Sequence, residues 1–222
     1  MYVDPARIDT RTKNKDKDIR RILRLHLHEQ NAGNNALIVN EFALGSEPAR
    51  VDIALVTDEY LVGFEIKSAS DTLTRLRTQV PSYGKVFDRM ILVVDEAHVR
   101  HAQHSLPEWW GIAVAETTHS KPRIGKPRMG RLTIRVLRKS QLNPQVEASV
   151  LATLIWREEA LAKLEELGKD WGVRSKNRRM ICARLSQSME LDELRQFVRD
   201  QLRARTEWRE DNRRHRRSRS LR

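Results

Sequence analysis

Apolar residues first recur at helical spacing. Ile19, Ile22, Leu23 and Leu27 predict an amphipathic helix that starts near Asn14 or Asp16 and runs to about Glu29. AGNN at 32–35 interrupts it, and the period changes. ALIVNEF (36–42), ARVDIALV (49–56) and LVGFEIKS (61–68) read as three strands rich in β-branched residues. A helix over 71–87 follows, with Ser70 and Asp71 as candidate caps. RMILVVD (89–95) is apolar almost without a break, the mark of a strand covered on both faces. A short helix around 97–105, a strand at 111–117 and a strand at 131–138 come next, with a basic, Pro- and Gly-containing stretch at 119–130 expected to be a mobile loop. After Pro144 the pattern is helical throughout, over 146–167, 176–187 and 191–204. Strands with an intervening helix, then an all-helical end, predict an α/β mixed sheet flanked by helices with an α-helical C-terminal region.

Composition narrows what such a chain does. No run of about 18 apolar residues exists, so a spanning helix is not expected. The polar N-terminus has no apolar leader core. One cysteine, Cys182, leaves no internal disulfide framework. A cytoplasmic protein is the plain expectation. Net charge is +12, of which six arginines in RRHRRSRSLR (213–222) supply half. That balance favours a polyanionic partner, nucleic acid ahead of a membrane, with Arg213, Arg214, Arg216 and Arg217 contacting phosphates from a disordered tail. A merely solubilising tail is the alternative.

Chemistry concentrates in the second and third strands. If they meet in a tight hairpin at Thr57–Tyr60, Asp52 lies opposite Glu65, with Cβ atoms about 4.5–5.5 Å apart. Lys67, two residues on, projects from the same face. Phe64, Ile66, Val51, Ile53 and Leu55 are expected on the other face. Two facing carboxylates repel unless something positive sits between them, and a hard divalent cation does that well. Asp52 and Glu65 are therefore candidate ligands for Mg²⁺, with Mn²⁺ able to substitute, and Lys67 is a candidate for orienting an attacking water. The alternative is an exposed face with a cross-strand ion pair. Arg50 neighbours Lys67 across the hairpin and is a candidate phosphate contact. Gln79 and Tyr83 are four apart and share a helix face. His98, His101 and His104 share a helix face too, but no fourth zinc ligand is evident. Trp109 and Trp110 either stack on bases or cap a core.

RVDIALV, LVGFEIKS and TQVPSYGKVFDRMILVV, in this order, resemble the PD-(D/E)XK nuclease superfamily, in which a hairpin presents Asp and then Glu-x-Lys ahead of a helix and a strand. The chain is also similar to a small bacterial and phage family within that superfamily, through DKDIR (16–20), WWGI (109–112) and LIWREEAL (154–161). Val51 stands where the superfamily often has proline. The resemblance implies a restriction-endonuclease-like core over 1–140 and a metal-dependent nuclease that cuts DNA, an endonuclease ahead of an exonuclease. It also implies a further metal ligand at Glu41 or, alternatively, Glu29, and it puts Gln79 or Tyr83 near the scissile phosphate. Residues 161–187 weakly resemble helix-extension-helix modules that grip DNA backbone. In that reading Ser175 caps the second helix of a 141–212 accessory region, and Arg174, Lys176, Arg178 and Arg179 meet phosphates. A binding or partner-recruiting module without turnover is the competing function. A homodimer, a protein partner, DNA against RNA and the choice of single or double strand stay open.

Overall fold

The computed structural model describes residues 16–119 and 130–205. Six strands form one mixed sheet in sequential order: β1 (Leu37–Ala43), β2 (Arg50–Val56), β3 (Leu61–Lys67), β4 (Arg89–Asp95), β5 (Gly111–His119) and β6 (Gly130–Arg138). β1–β2, β2–β3 and β5–β6 are antiparallel, while β3–β4 and β4–β5 are parallel. The chain alternates helices with the parallel strands, as such crossovers require. Before them comes α1 (Asp16–Gln30); α2 (Leu76–Gly84) then precedes β4, and α3 (Val99–Ser105) precedes β5. The fold class is α/β, as the sequence pattern predicts.

Alternation along the strands sorts two cores. Met90, Leu92 and Val94 of β4 join one apolar cluster and Val93 the other, which is why this strand is apolar throughout. The second cluster is closed by Ile19, Ile22, Leu23 and Leu27 of α1. The first is closed by α2 and by α4 (Ala148–Leu151), α5 (Arg157–Glu166), α6 (Arg178–Ser186) and α7 (Leu191–Ala204). Asn143 fastens the entry to these helices. Its buried amide donates to the carbonyls of Gly84 and Phe87 at 2.6 and 2.7 Å.

Two predicted helices differ in extent. The 71–87 helix begins only at Leu76, because Asp71 turns back to accept from the backbone N and hydroxyl of Ser68 at 2.7 and 2.6 Å. The 146–167 helix is divided. Ile155 and Trp156 are extended, and Glu159 reaches back to accept from the Trp156 amide at 2.7 Å. The interruption leaves carbonyls of Thr153 and Ile155 that Arg178 satisfies. The predicted loop at 119–130 has strand residues at both ends, and 120–129 lie outside the described residues.

Candidate active site

The hairpin register decides which residues meet. Pairs Val56–Leu61, Leu55–Val62, Ala54–Gly63 and Ile53–Phe64 carry Asp52 opposite Glu65 one step further. Thr57 closes the turn, its backbone N donating to the Tyr60 carbonyl at 3.0 Å. On the other side of β2, Asn40 pairs with Ile53 and Phe42 with Val51, so Glu41 stands opposite Asp52. Three acids thus fall near one end of three neighbouring strands, where the regular pairing stops.

The expected alternation fails at that line. Glu41 is left-handed at φ 50° and is missing from the ladder, a conformation costing a non-glycine residue about 1–2 kcal/mol. Beyond it, Phe42 and Val51 both enter the first cluster. Val51 therefore does not share a side with Ile53 and Leu55, as the simple period predicts. The kink rearranges the strand ends where the acids sit, and strained backbone of this kind clusters at sites of function.

Glu65 is 2% exposed. Lys67 Nζ donates to its Oε1 at 2.7 Å and Gln79 Nε2 to the same atom at 3.0 Å. The Tyr83 hydroxyl lies 2.7 Å from Oε2 and 2.8 Å from the Arg50 carbonyl, so its single proton serves one of them at a time. Burial first, and then the charge of Asp52, push the Glu65 carboxyl above the ordinary range, and Lys67 and Tyr83 offset only part of this. Burial and the Glu65 charge push the Tyr83 phenol far up as well, so it remains a hydrogen-bond donor. Asp52 Oδ2 accepts from the Ile66 backbone N at 2.6 Å.

Arg20 is the residue that sequence reasoning missed. Its Nη2 donates to Asp52 Oδ1 at 2.7 Å and its Nη1 to Glu41 Oε1 at 2.6 Å and to the Asp52 carbonyl at 3.0 Å. Asp16, one helical turn earlier, lies 3.4 Å from Nη2. Burial works against the Arg20 charge, but Asp52, Asp16 and Glu41 outweigh it and hold it more firmly protonated than usual. The one local signal is the i, i+4 acid–base pair in DKDIR. Glu41 thus reaches Asp52 through a guanidinium instead of converging on Glu65, and Glu29, the alternative, is an exposed position on α1.

Among the described residues no three acidic, histidine or cysteine side chains converge tightly enough to hold a metal. Two carboxylates with water as the remaining ligand nevertheless suit Mg²⁺, which usually keeps several waters. Asp52 accepts one bond at each oxygen and Glu65 one at Oε2, which leaves lone pairs on both.

Residues 10–221 match the family described as Bacteriophage P4 protein cII. The chain belongs to that family. No curated protein and no solved structure matches it.

In this cII family member the basic candidates divide. Arg178 is spent on the carbonyls of Thr153 and Ile155, so it braces the helices instead of facing a phosphate. Arg174 pairs with Asp170 and lies 3.5 Å from Glu165. Lys176 and Arg179 are exposed. Asn177, not Ser175, caps α6, its side chain accepting from the Met180 backbone N at 3.1 Å. Arg50 is exposed and touches the site through its carbonyl. Arg213, Arg214, Arg216 and Arg217 lie outside the described residues. Trp109 and Trp110 are buried in the first cluster and offer no face to a base. His98 Nε2 lies 3.1 Å from the Ser68 carbonyl, and His104 Nδ1 lies 2.7 Å from that of Arg100. No described helix is long and apolar enough to cross a membrane.

Proposed function

We propose that this protein is a cytoplasmic, Mg²⁺-dependent nuclease of the PD-(D/E)XK type that hydrolyses DNA phosphodiester bonds within a strand. One observation carries the reading: a buried carboxylate, Glu65, sits across a hairpin from Asp52 with the Lys67 ammonium 2.7 Å away. Asp52 and Glu65 would hold the ion, which when bound supplies positive charge to the attacked phosphate and makes water more acidic. Lys67 turns from Glu65 to orient the incoming water and to meet the charge that builds on the phosphoryl oxygens. The water oxygen bonds to phosphorus, the bond to the leaving sugar oxygen breaks, and that oxygen takes up a proton. Gln79 and Tyr83 fix the Glu65 carboxylate, and Arg20 fixes Asp52 and Glu41.

The test uses purified protein with Mg²⁺ or Mn²⁺ on plasmid and on linear single-stranded DNA. Asp52→Ala should abolish cleavage and Lys67→Ala should nearly do so, while DNA affinity stays within a few fold. Cutting at the wild-type rate by either variant removes the assignment. A second reading, a nucleic-acid-binding or partner-recruiting module without turnover, is favoured by one feature: Arg20 and Lys67 already pair with the two carboxylates. Metal-independent DNA binding with no cleavage of either substrate would select it.

A further inference from the structure

Trp171 is 85% exposed, more than any other large apolar side chain among the described residues. It sits in the α5–α6 connection, which has a defined shape. The Gly168 amide donates to the Glu165 carbonyl at 3.0 Å and the Lys169 amide to that of Leu164 at 2.8 Å, closing the end of α5. Gly168 and Gly172 take left-handed conformations, φ 64° and 76°, in open space. Val173 is buried as a plug, and its amide donates to the Asp170 carbonyl at 3.1 Å. These constraints hold the chain on either side of Trp171 and leave its indole facing solvent.

Charge surrounds it unevenly. Lys169, Lys176 and Arg179 are exposed, and none forms an ion pair among the described residues. The acid in the same loop, Asp170, is already taken by Arg174. A relay of contacts runs from the start of α6 toward the helix that carries Tyr83. Arg178 holds the Thr153 carbonyl, and Thr153 Oγ1 accepts from Ser46 N at 3.0 Å in the β1–β2 turn. In that turn Glu47 accepts from Ser82 at 2.8 Å, next to Tyr83 on α2.

We propose that the α5–α6 loop is a docking platform for single-stranded DNA: Trp171 stacks on an unpaired base while Lys169, Lys176 and Arg179 hold neighbouring phosphates. Every base has a π-face, but in a duplex both faces are already stacked, so an isolated indole discriminates in favour of single strands. One indole with exposed Leu167 and Met180 is still too little apolar surface for the core of a stable protein interface, which buries about 1,000 Å² or more. Free cations beside an aromatic face match a polyanion with exposed bases. The choice of DNA rests on the nuclease reading; the stacking geometry does not.

The experiment measures anisotropy of an end-labelled oligothymidine and of a matched duplex, with the full chain and with divalent ions chelated so that no cleavage occurs. Trp171→Ala should weaken single-strand binding about ten-fold, the usual scale of one stacked base. Trp171→Phe should restore most of it, and duplex affinity should change less than about two-fold. Replacing Lys169, Lys176 and Arg179 by Gln should reduce the salt dependence of single-strand binding by a slope of about two. Wild-type affinity in Trp171→Ala, or equal losses on single strand and duplex, overturns the platform. So does a Trp171-dependent dimer in sedimentation with oligonucleotide binding unchanged, which would make the loop a contact between copies. Stacking without any cleavage by the wild type sinks the nuclease reading alone; cleavage with unchanged Trp171→Ala binding sinks the platform alone.

Discussion

The two ends of the β2–β3 hairpin hold buried carboxylates in opposite ways. At the closed end Asp88 accepts from the Leu61 amide at 2.8 Å, with Arg195 and Arg199 at 3.2 and 3.3 Å. Arg199 also donates to the Asp58 carbonyl, and Arg203 pairs with the Asp58 side chain, so α7 clamps the turn. At the open end Glu65 meets one ammonium, one amide and one phenol. Burial pushes both carboxyls up. What separates them is the kind of partner. Two arginines locked into a helix and a turn make a joint, whereas a lysine on the strand's last residue can rearrange around an arriving phosphate.

That contrast is broken most severely at the closed end. Asp88→Ala takes from Arg195 and Arg199 the buried carboxylate they share, and losing one partner of a buried pair costs about 3–5 kcal/mol. Urea melts should show that loss, while on the nuclease reading any surviving folded protein still responds to Mg²⁺ as wild type does. A milder destabilisation, below about 1 kcal/mol, would mean that water already reaches the joint. Lys67→Ala at the open end should do the reverse. On the nuclease reading, cleavage falls by about 10²–10³-fold, the scale of removing one donor to developing negative charge, and the melting midpoint drops less than in Asp88→Ala because Glu65 keeps Gln79 and Tyr83 as partners. If both variants lose stability alike, the two ends are one structural network and the distinction disappears.

Most of the open end is legible in the sequence because strand pairing is arithmetic. A short turn at Thr57–Tyr60 fixes the register, which pairs Ile53 with Phe64 and brings Asp52 and Glu65 to its open end. Gln79 and Tyr83 follow from helical spacing and do reach Glu65. The arithmetic fails where the backbone leaves the period: nothing in NEF announces the left-handed Glu41 that redirects Val51 and Phe42. Arg20 is hidden for another reason, since its partners lie 21 and 32 residues away and no local period links them. The division of the 146–167 helix depends on Arg178 from a later helix. Among tryptophans, adjacency singles out Trp109 and Trp110, which are core, while no local pattern marks Trp171, whose exposure depends on how the loop around it is held.

Smaller effects refine the open end. Tyr83→Phe removes a hydroxyl shared by Glu65 and the Arg50 carbonyl, worth about 1 kcal/mol of stability. Fluorescence-detected melts would read it, and a change above about 3 kcal/mol would show that the hydroxyl anchors the whole strand end.

Glu65→Gln tests the sign of the electrostatics. Because the folded protein holds the Glu65 proton more tightly than the unfolded chain does, wild-type stability from this group is fully present below the ordinary carboxylate range and lost as pH rises through the raised value. The amide variant does not titrate there, and its new donor can face the Tyr83 oxygen while that hydroxyl serves Arg50. The variant should therefore melt higher than wild type at about pH 8, and the gap should close on acidification. Mg²⁺ should raise the wild-type melting temperature and leave the variant's unchanged. A gap of the opposite sign under the same alkaline conditions would mean that Lys67, Gln79 and Tyr83 compensate the buried Glu65 charge fully.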